Sequence, residues 1–190
     1  MRLQEISPNT VKGSWTSDLV LRKLWGLTEL KKINDKFDTV YVLGSWYGNA
    51  SIIMSMLKKH IDFDHIVNVD NDPNVLNQSE KLIDKLGINN SIEFMLADVN
   101  ELDYRQLGKN GLIINFSTVD IQGDDWFRNI PKGTTVLIQA RDKVEGASNQ
   151  FCSEHDLKKA FPLSNLLYSG SKQFKDPETE FNSFMIIGQK

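Results

Sequence analysis

Short apolar runs alternate along the chain with stretches in which apolar residues recur every three or four positions. The first run is Thr39–Leu43 (TVYVL). After it, Ala50–His60 places Ile52, Ile53, Met56 and Leu57 on one helical face. The second run, His65–Val69 (HIVNV), precedes a helical pattern carrying Val75, Leu76, Ser79, Leu82, Ile83 and Leu86. Pro73 suits the first turn of that helix and Gly87 the position just past its end. Ser91–Leu96, Gly111–Phe116 and Thr134–Ala140 are the third, fourth and fifth runs. Strands alternating with helices predict βαβ units around a parallel sheet, with helices between the first five strands. Farther on, Ser153–Phe161 predicts a short helix, and Leu163–Ser169 and Phe181–Gly188 two late strands. Only a polar loop joins those two, so they form an antiparallel hairpin. Ahead of the first strand, Asp18–Lys32 spaces Leu19, Leu21, Leu24, Trp25, Leu27 and Leu30 as a helix. Residues 1–38 are thus a helical lead-in to an α/β unit spanning 39–190.

The length, 190 residues, suits one domain and a core that needs no disulfide or metal. A net charge of −3 gives no global basic field for nucleic acid or an anionic membrane. No apolar stretch reaches membrane-spanning length, and the first ten residues carry no apolar signal core. The single cysteine, Cys152, excludes an intramolecular disulfide and fits a reducing compartment, so the cytoplasm is the expected location. His60, His65, His155 and Cys152 have no metal-ligand spacing.

In an open parallel sheet, ligands bind at the carboxyl ends of the strands, where the strand order reverses. Gly44-Ser45-Trp46-Tyr47-Gly48 follows the first strand, and its glycines permit a tight turn and close backbone approach. The helix that follows offers free N–H groups to a negative group such as a carboxylate. Alone, this turn is equally a βα connection with no ligand. Asp70 ends the second strand, 22 positions after Gly48, where a carboxylate can accept hydrogen bonds from both ribose hydroxyls. Asp72, just before Pro73, is placed to cap the next helix, with Asp70 left for the ligand. Asp98 ends the third strand and can accept from an adenine amino group; the other reading is an exposed loop acid.

From Thr39 to Lys190 these features resemble the class I S-adenosylmethionine-dependent methyltransferases. VLGSWYGNAS resembles the glycine-rich first motif of that family, NVDNDP the second, MLADVNEL the third and LIINFS the fourth. The resemblance implies a Rossmann-like three-layer sandwich around a seven-stranded, mostly parallel sheet whose last strand is antiparallel. It implies S-adenosylmethionine as cofactor, held by Gly44, Ser45, Trp46, Tyr47, Gly48, Asp70, Asn71, Asp98, Val99, Asn115 and Ser117. More narrowly, GSWYG with INFSTVD and PKGTTVLIQARD is similar to small methyltransferase-like proteins of bacteriophage and marine bacterial type. Two positions depart from the family pattern. Val42 stands where an acid usually contacts the methionine amino group, and Trp46 replaces the middle glycine. Asn115, Ser117 or a backbone carbonyl could take over that contact. Trp46 could wall the site, stack on a substrate, or simply cover the strand end.

Methyl transfer requires alignment of nucleophile, methyl carbon and leaving sulfur, and some acceptors need a general base. Candidates lie after the fourth and fifth strands: Asn115, Ser117 and Asp120, then Gln139, Arg141 and Asp142. Asn115 and Asp120 are the expected catalytic pair. Against this, Asn115 could serve only the local backbone and Asp120 a solvated loop. Arg141 could clamp a carboxylate or phosphate, and His155 is expected on an exposed helix start. Asn115-Phe116-Ser117 lacks the prolines and terminal aromatic of amino-directed DNA methyltransferases, and Cys152 lacks the preceding proline of a C5-directed one. The expected partner is therefore a small polar molecule, with no membrane and no nucleic acid; oligomeric state has no signature in the sequence. Gly13–Asp18 is a candidate lid, with Trp15 either closing over the ligand or packing the lead-in helix. Two other activities fit the same fold: transfer of the aminocarboxypropyl group, and cofactor binding without catalysis.

Overall fold

The computed structural model describes residues 14–88, 91–176 and 179–190. The first thirteen residues of the lead-in, Gly13 of the candidate lid among them, lie outside that set. Helix α1 (Ser17–Ile33) leads into β1 (Lys36–Leu43), α2 (Asn49–Met56), β2 (Asp62–Asp70), α3 (Pro73–Leu86) and β3 (Ile92–Leu96). Then come β4 (Leu112–Asn115), the four-residue α4 (Asp125–Arg128), β5 (Thr135–Arg141), α5 (Glu154–Ala160), β6 (Asn165–Lys175) and β7 (Glu180–Gln189). No described helix is long and apolar enough to cross a membrane.

The seven strands form one sheet in the order β3-β2-β1-β4-β5-β7-β6, with β7 antiparallel to both neighbours and the other pairs parallel. This is a Rossmann-like α/β sandwich. The order reverses between β1 and β4. Leu43 lies level with Val69 on one side and Asn115 on the other. Gly44, Asp70 and Phe116 therefore leave the sheet at one edge.

Side chains alternate across the pleat and build two cores. Val40, Val42, Ile66, Ile114 and Leu137 pack with Trp25, Leu27 and Leu30 of α1 and with α2 and α3. Tyr41, Leu43, Val69, Ile113 and Ile138 pack with Tyr104, Trp126, Phe127 and Phe161 on the other face.

That second face departs from the sequence expectation. Between β3 and β4 stand two 3-10 turns, Val99–Glu101 and Tyr104–Leu107, instead of a helix. Asp98 and Asp103 cap them, each accepting from the N–H two residues ahead. Caps five residues apart restart the chain before a longer helix can propagate. Large aromatics fill the space instead: Trp126 and Phe161 have ring centroids 5.1 Å apart.

Strand β6 runs to Lys175, so Gly170–Lys175, expected as loop, is hairpin. This is the sheet's edge strand, and its polar residues gave no apolar alternation to read. Helix α2 stops at Met56, which is exposed, rather than continuing to His60.

Helix α1 inverts its expected pattern at one point. Leu21 is 53% exposed, whereas Arg22 and Lys23 are only 6% and 7% exposed. The inward row is Asp18, Arg22, Gly26 and Leu30, at i+4 spacing.

Candidate active site

The turn after β1 is built from hydrogen bonds of its own. Ser45 N–H donates to Val69 O, Trp46 N–H to Asp70 Oδ2 at 2.9 Å, and Gly48 N–H to Ser45 O. Asp70 Oδ1 accepts from Asp72 N–H. Asp72 in turn caps α3 through Asn74 and Val75 N–H. Gly44 has φ +56, and a side chain there would meet Ser117 Cβ at 2.8 Å. Ser117 Oγ donates to Gly44 O at 2.8 Å, which ties the β4 loop to the turn. Trp46 adopts φ +50, a left-handed conformation in which glycine is unstrained and tryptophan is not. The bond from Trp46 N–H to Asp70 holds it there.

Two clefts open on this edge. The larger, about 850 Å³, is lined by Gly44, Trp46, Asp70, Asn71, Asp98 and Val99, and across from them by Ser117, Asp120 and Asp125. Four aspartates face it, and among the described residues no lysine or arginine lines it. Asp98 Oδ1 accepts from Asn100, while Oδ2 has no hydrogen-bond partner among the described residues.

The smaller cleft, about 420 Å³, lies between α1 and the ends of β4 and β5. Thr16, Asp18, Arg22 and Lys23 wall it from α1, facing Phe116, Asp120, Arg141 and Asp176. Trp46, Ser117 and Asp120 line both clefts. Arg22 Nε donates to Ser183 Oγ, and Arg141 pairs with Asp176 at 3.6 Å. Burial, reinforced by Arg141, lowers the Arg22 pKa to about 10 against the pull of Asp18 and Asp120. Burial and the neighbouring Arg22 lower Lys23 to about 7, with Asp18 opposing. Partial burial raises Asp120, with Arg141 and Arg22 opposing.

Lys23 thus carries a stability signature. Its pKa is depressed in the folded chain relative to the ordinary 10.5, so the unfolded chain holds the extra proton between about pH 7 and 10.5. Stability contributed by this group rises with pH across that window and is lowest below pH 7. Lys23→Met should therefore stabilise the fold at pH 6 by about 1–4 kcal/mol. In urea denaturation, its advantage over wild type should shrink between pH 6 and pH 10.

Of the residues expected from the sequence, Gly44, Trp46, Asp70, Asn71, Asp98, Val99, Ser117 and Asp120 meet at the larger cleft. Ser45, Tyr47, Gly48 and Asn115 do not line either cleft. Ser45 and Tyr47 are buried beneath the turn. Gly48 is pressed against α3, where a Cβ would overlap Ser79 Oγ. Asn115 is 0% exposed, and its Oδ1 accepts from Ser117 N–H at 2.9 Å, so it shapes the β4 loop. Val42 lies in the core beneath α1 and α2, away from the site. At the start of α2, Asn49 Nδ2 donates to Ser14 O. Trp15 packs against the first core, and Thr16 and Asp18 of the candidate lid wall the smaller cleft.

Arg141 lines the smaller cleft, as a clamp residue would. Gln139 is buried and donates to Arg22 O; Asp142 holds Asn182; His155 is exposed on α5. The sequence reading missed Arg22 and Lys23. Their signal was Gly26, a lone glycine inside a helical pattern. A Cβ on it would meet Phe116 at 3.1 Å, so Gly26 marks the inward row that Arg22 continues.

No family model and no curated protein matches the chain. Solved structures do. A SAM dependent methyltransferase from Aquifex aeolicus superposes with TM-score 0.65 at 13% identity, over 95% of this chain and 98% of that one. The class I methyltransferase fold is the fold of this chain. N-methyltransferase NodS from Bradyrhizobium japonicum gives TM-score 0.66 at 9% identity, over 93% and 99%. The N-terminal domain of EvdMO1, solved with SAH bound, gives 0.60 at 12%, over 92% and 82%. At such identities the likeness concerns the fold.

Proposed function

We propose that the chain binds S-adenosylmethionine in the larger cleft and transfers its methyl group to a small polar acceptor. The observation that carries this reading is the electrostatics of a cleft at the sheet's reversal point. Four aspartates and no cation would repel the pyrophosphate of a dinucleotide, and the N–H groups of Ser45, Trp46 and Gly48 already have acceptors. A nucleoside carrying a positive sulfonium suits the same surface. The volume lies within the range of small-ligand sites. The SAH-bound and SAM-dependent neighbours are consistent with it.

When bound, S-adenosylmethionine supplies an electrophilic methyl group on sulfur. Asp70 keeps lone pairs for the ribose hydroxyls beyond those that hold Trp46 and Asp72. Asp98 Oδ2 would accept from the adenine amino group, and Val99 would cover the base. Trp46, Ser117 and Asp120 stand where the clefts meet, so the transferred group and the acceptor would pass between them. Asp120, with its proton affinity raised, is among the described residues the one carboxylate facing both clefts. It is suited to hold the acceptor's nucleophile and to take its proton.

Calorimetric titration with S-adenosylmethionine tests the cofactor, and saturable binding is expected. Heats no larger than dilution would overturn the proposal. Mass spectrometry after incubation with small polar acceptors tests the transfer. S-adenosylhomocysteine with a methylated acceptor is expected, whereas methylthioadenosine would replace methyl transfer by aminocarboxypropyl transfer.

A further inference from the structure

We infer that the smaller cleft is a carboxylate subsite, in which Lys23 binds the carboxylate of a small monoanionic acceptor. The inference takes the word acceptor from the proposed methyl transfer; the carboxylate site itself stands on the geometry of the cleft.

Among the described residues the cleft holds three cations and three carboxylates, and Lys23, though in the field of Asp18, is the cation that makes no direct bond. Arg141 is paired with Asp176. Arg22 donates to Ser183, stacks at 5.6 Å from the Phe181 ring centroid and lies in the field of Asp18 and Asp120. Lys23 is 7% exposed and has no hydrogen bond or ion pair among the described residues. Its Nζ lies over the Phe116 ring, 5.5 Å from the centroid. A lysine buried in this way is costly unless a counter-ion arrives, and a ligand carboxylate is that counter-ion.

The remaining charges limit what the ligand carries. Asp18 on the α1 wall and Asp120 and Asp176 on the facing wall line the same cleft, so a second negative charge would be repelled. A monocarboxylate fits, and a phosphate dianion does not. Orientation follows from the shared wall. A carboxylate on Lys23, against α1, leaves the rest of the molecule to extend toward Ser117 and Asp120, where the larger cleft begins.

The test uses propionate, with propionamide as its neutral isostere, in amide-resolved NMR titrations of the full chain at pH 6. S-adenosylhomocysteine affinity is measured in parallel. In wild type, propionate should bind at least tenfold more tightly than propionamide and shift the amides of Lys23 and Phe116. Lys23→Met and Lys23→Gln should each abolish that preference and leave S-adenosylhomocysteine affinity within twofold. Equal propionate affinity in wild type and variants overturns the inference. So does a tenfold loss of S-adenosylhomocysteine affinity in the variants, since Lys23 would then serve the cofactor's own carboxylate. If S-adenosylhomocysteine binds no form while propionate still discriminates, the carboxylate site is upheld and the methyl-transfer reading falls.

Discussion

Asp70→Ala is expected to weaken S-adenosylmethionine binding about 100-fold, the largest effect of any single side chain in the site. A hydrogen bond to a charged acceptor contributes about 1.5–3 kcal/mol, and each 1.4 kcal/mol is a factor of ten in affinity. Two ribose hydroxyls on one carboxylate therefore account for about two decades after water's partial compensation. The variant also frees Trp46 N–H, which Asp70 Oδ2 holds at 2.9 Å in a left-handed turn. Releasing it should lower stability by about 1 kcal/mol. Asp70→Asn retains one carbonyl acceptor and should lose about tenfold. Calorimetry with S-adenosylhomocysteine and its 2′-deoxy analogue separates the two roles. If Asp70 binds ribose, removing the hydroxyl weakens binding to wild type and not to Asp70→Ala. Undiminished binding of the parent ligand by Asp70→Ala would remove the ribose assignment.

The second large effect concerns stability. Gly48→Ala should destabilise the fold by about 2–4 kcal/mol, read as the shift in urea midpoint. Gly48 has φ +69, and a side chain in that conformation costs roughly 1 kcal/mol. The added Cβ would also overlap Ser79 Oγ and crowd Ile83 Cδ1 at 3.1 Å and Asn68 Nδ2 at 3.3 Å. Overpacking of that kind costs about 1–3 kcal/mol. Gly87 supplies the control. It has nearly the same φ, +68, but nothing lies within 4 Å of its absent Cβ. Gly87→Ala should cost only about 1 kcal/mol, so the difference between the two variants measures the packing of α3 on the turn. Equal losses would show that backbone conformation alone makes position 48 a glycine.

The order of apolar runs disclosed the sheet because each inner strand is buried on both faces and ends in a turn residue. Gly44, Asp70 and Asp98 were legible for that reason: in this topology the end of a strand is also the edge of the cleft. Spacing alone did not say what each glycine or asparagine touches. Gly48 packs closely against α3, and Asn115 turns inward to its own loop. The two 3-10 turns escaped because a helix of one turn has no periodicity to display. Arg22 and Lys23 escaped because a charged pair between leucines reads as the wet face of a helix. Long-range contacts, of Gly26 with Phe116 and of Arg22 with Ser183 and Gln139, show which row of α1 faces the sheet.

The wall that Trp46, Ser117 and Asp120 give to both clefts has a thermodynamic consequence. A ligand that orders these three side chains from one side alters the surface offered on the other. The two occupants then cannot bind independently, and whatever factor the first imposes on the affinity of the second, the second imposes equally on the first. Substrate discrimination is in this sense a property of the pair of ligands, set at the boundary between them as much as inside either chamber.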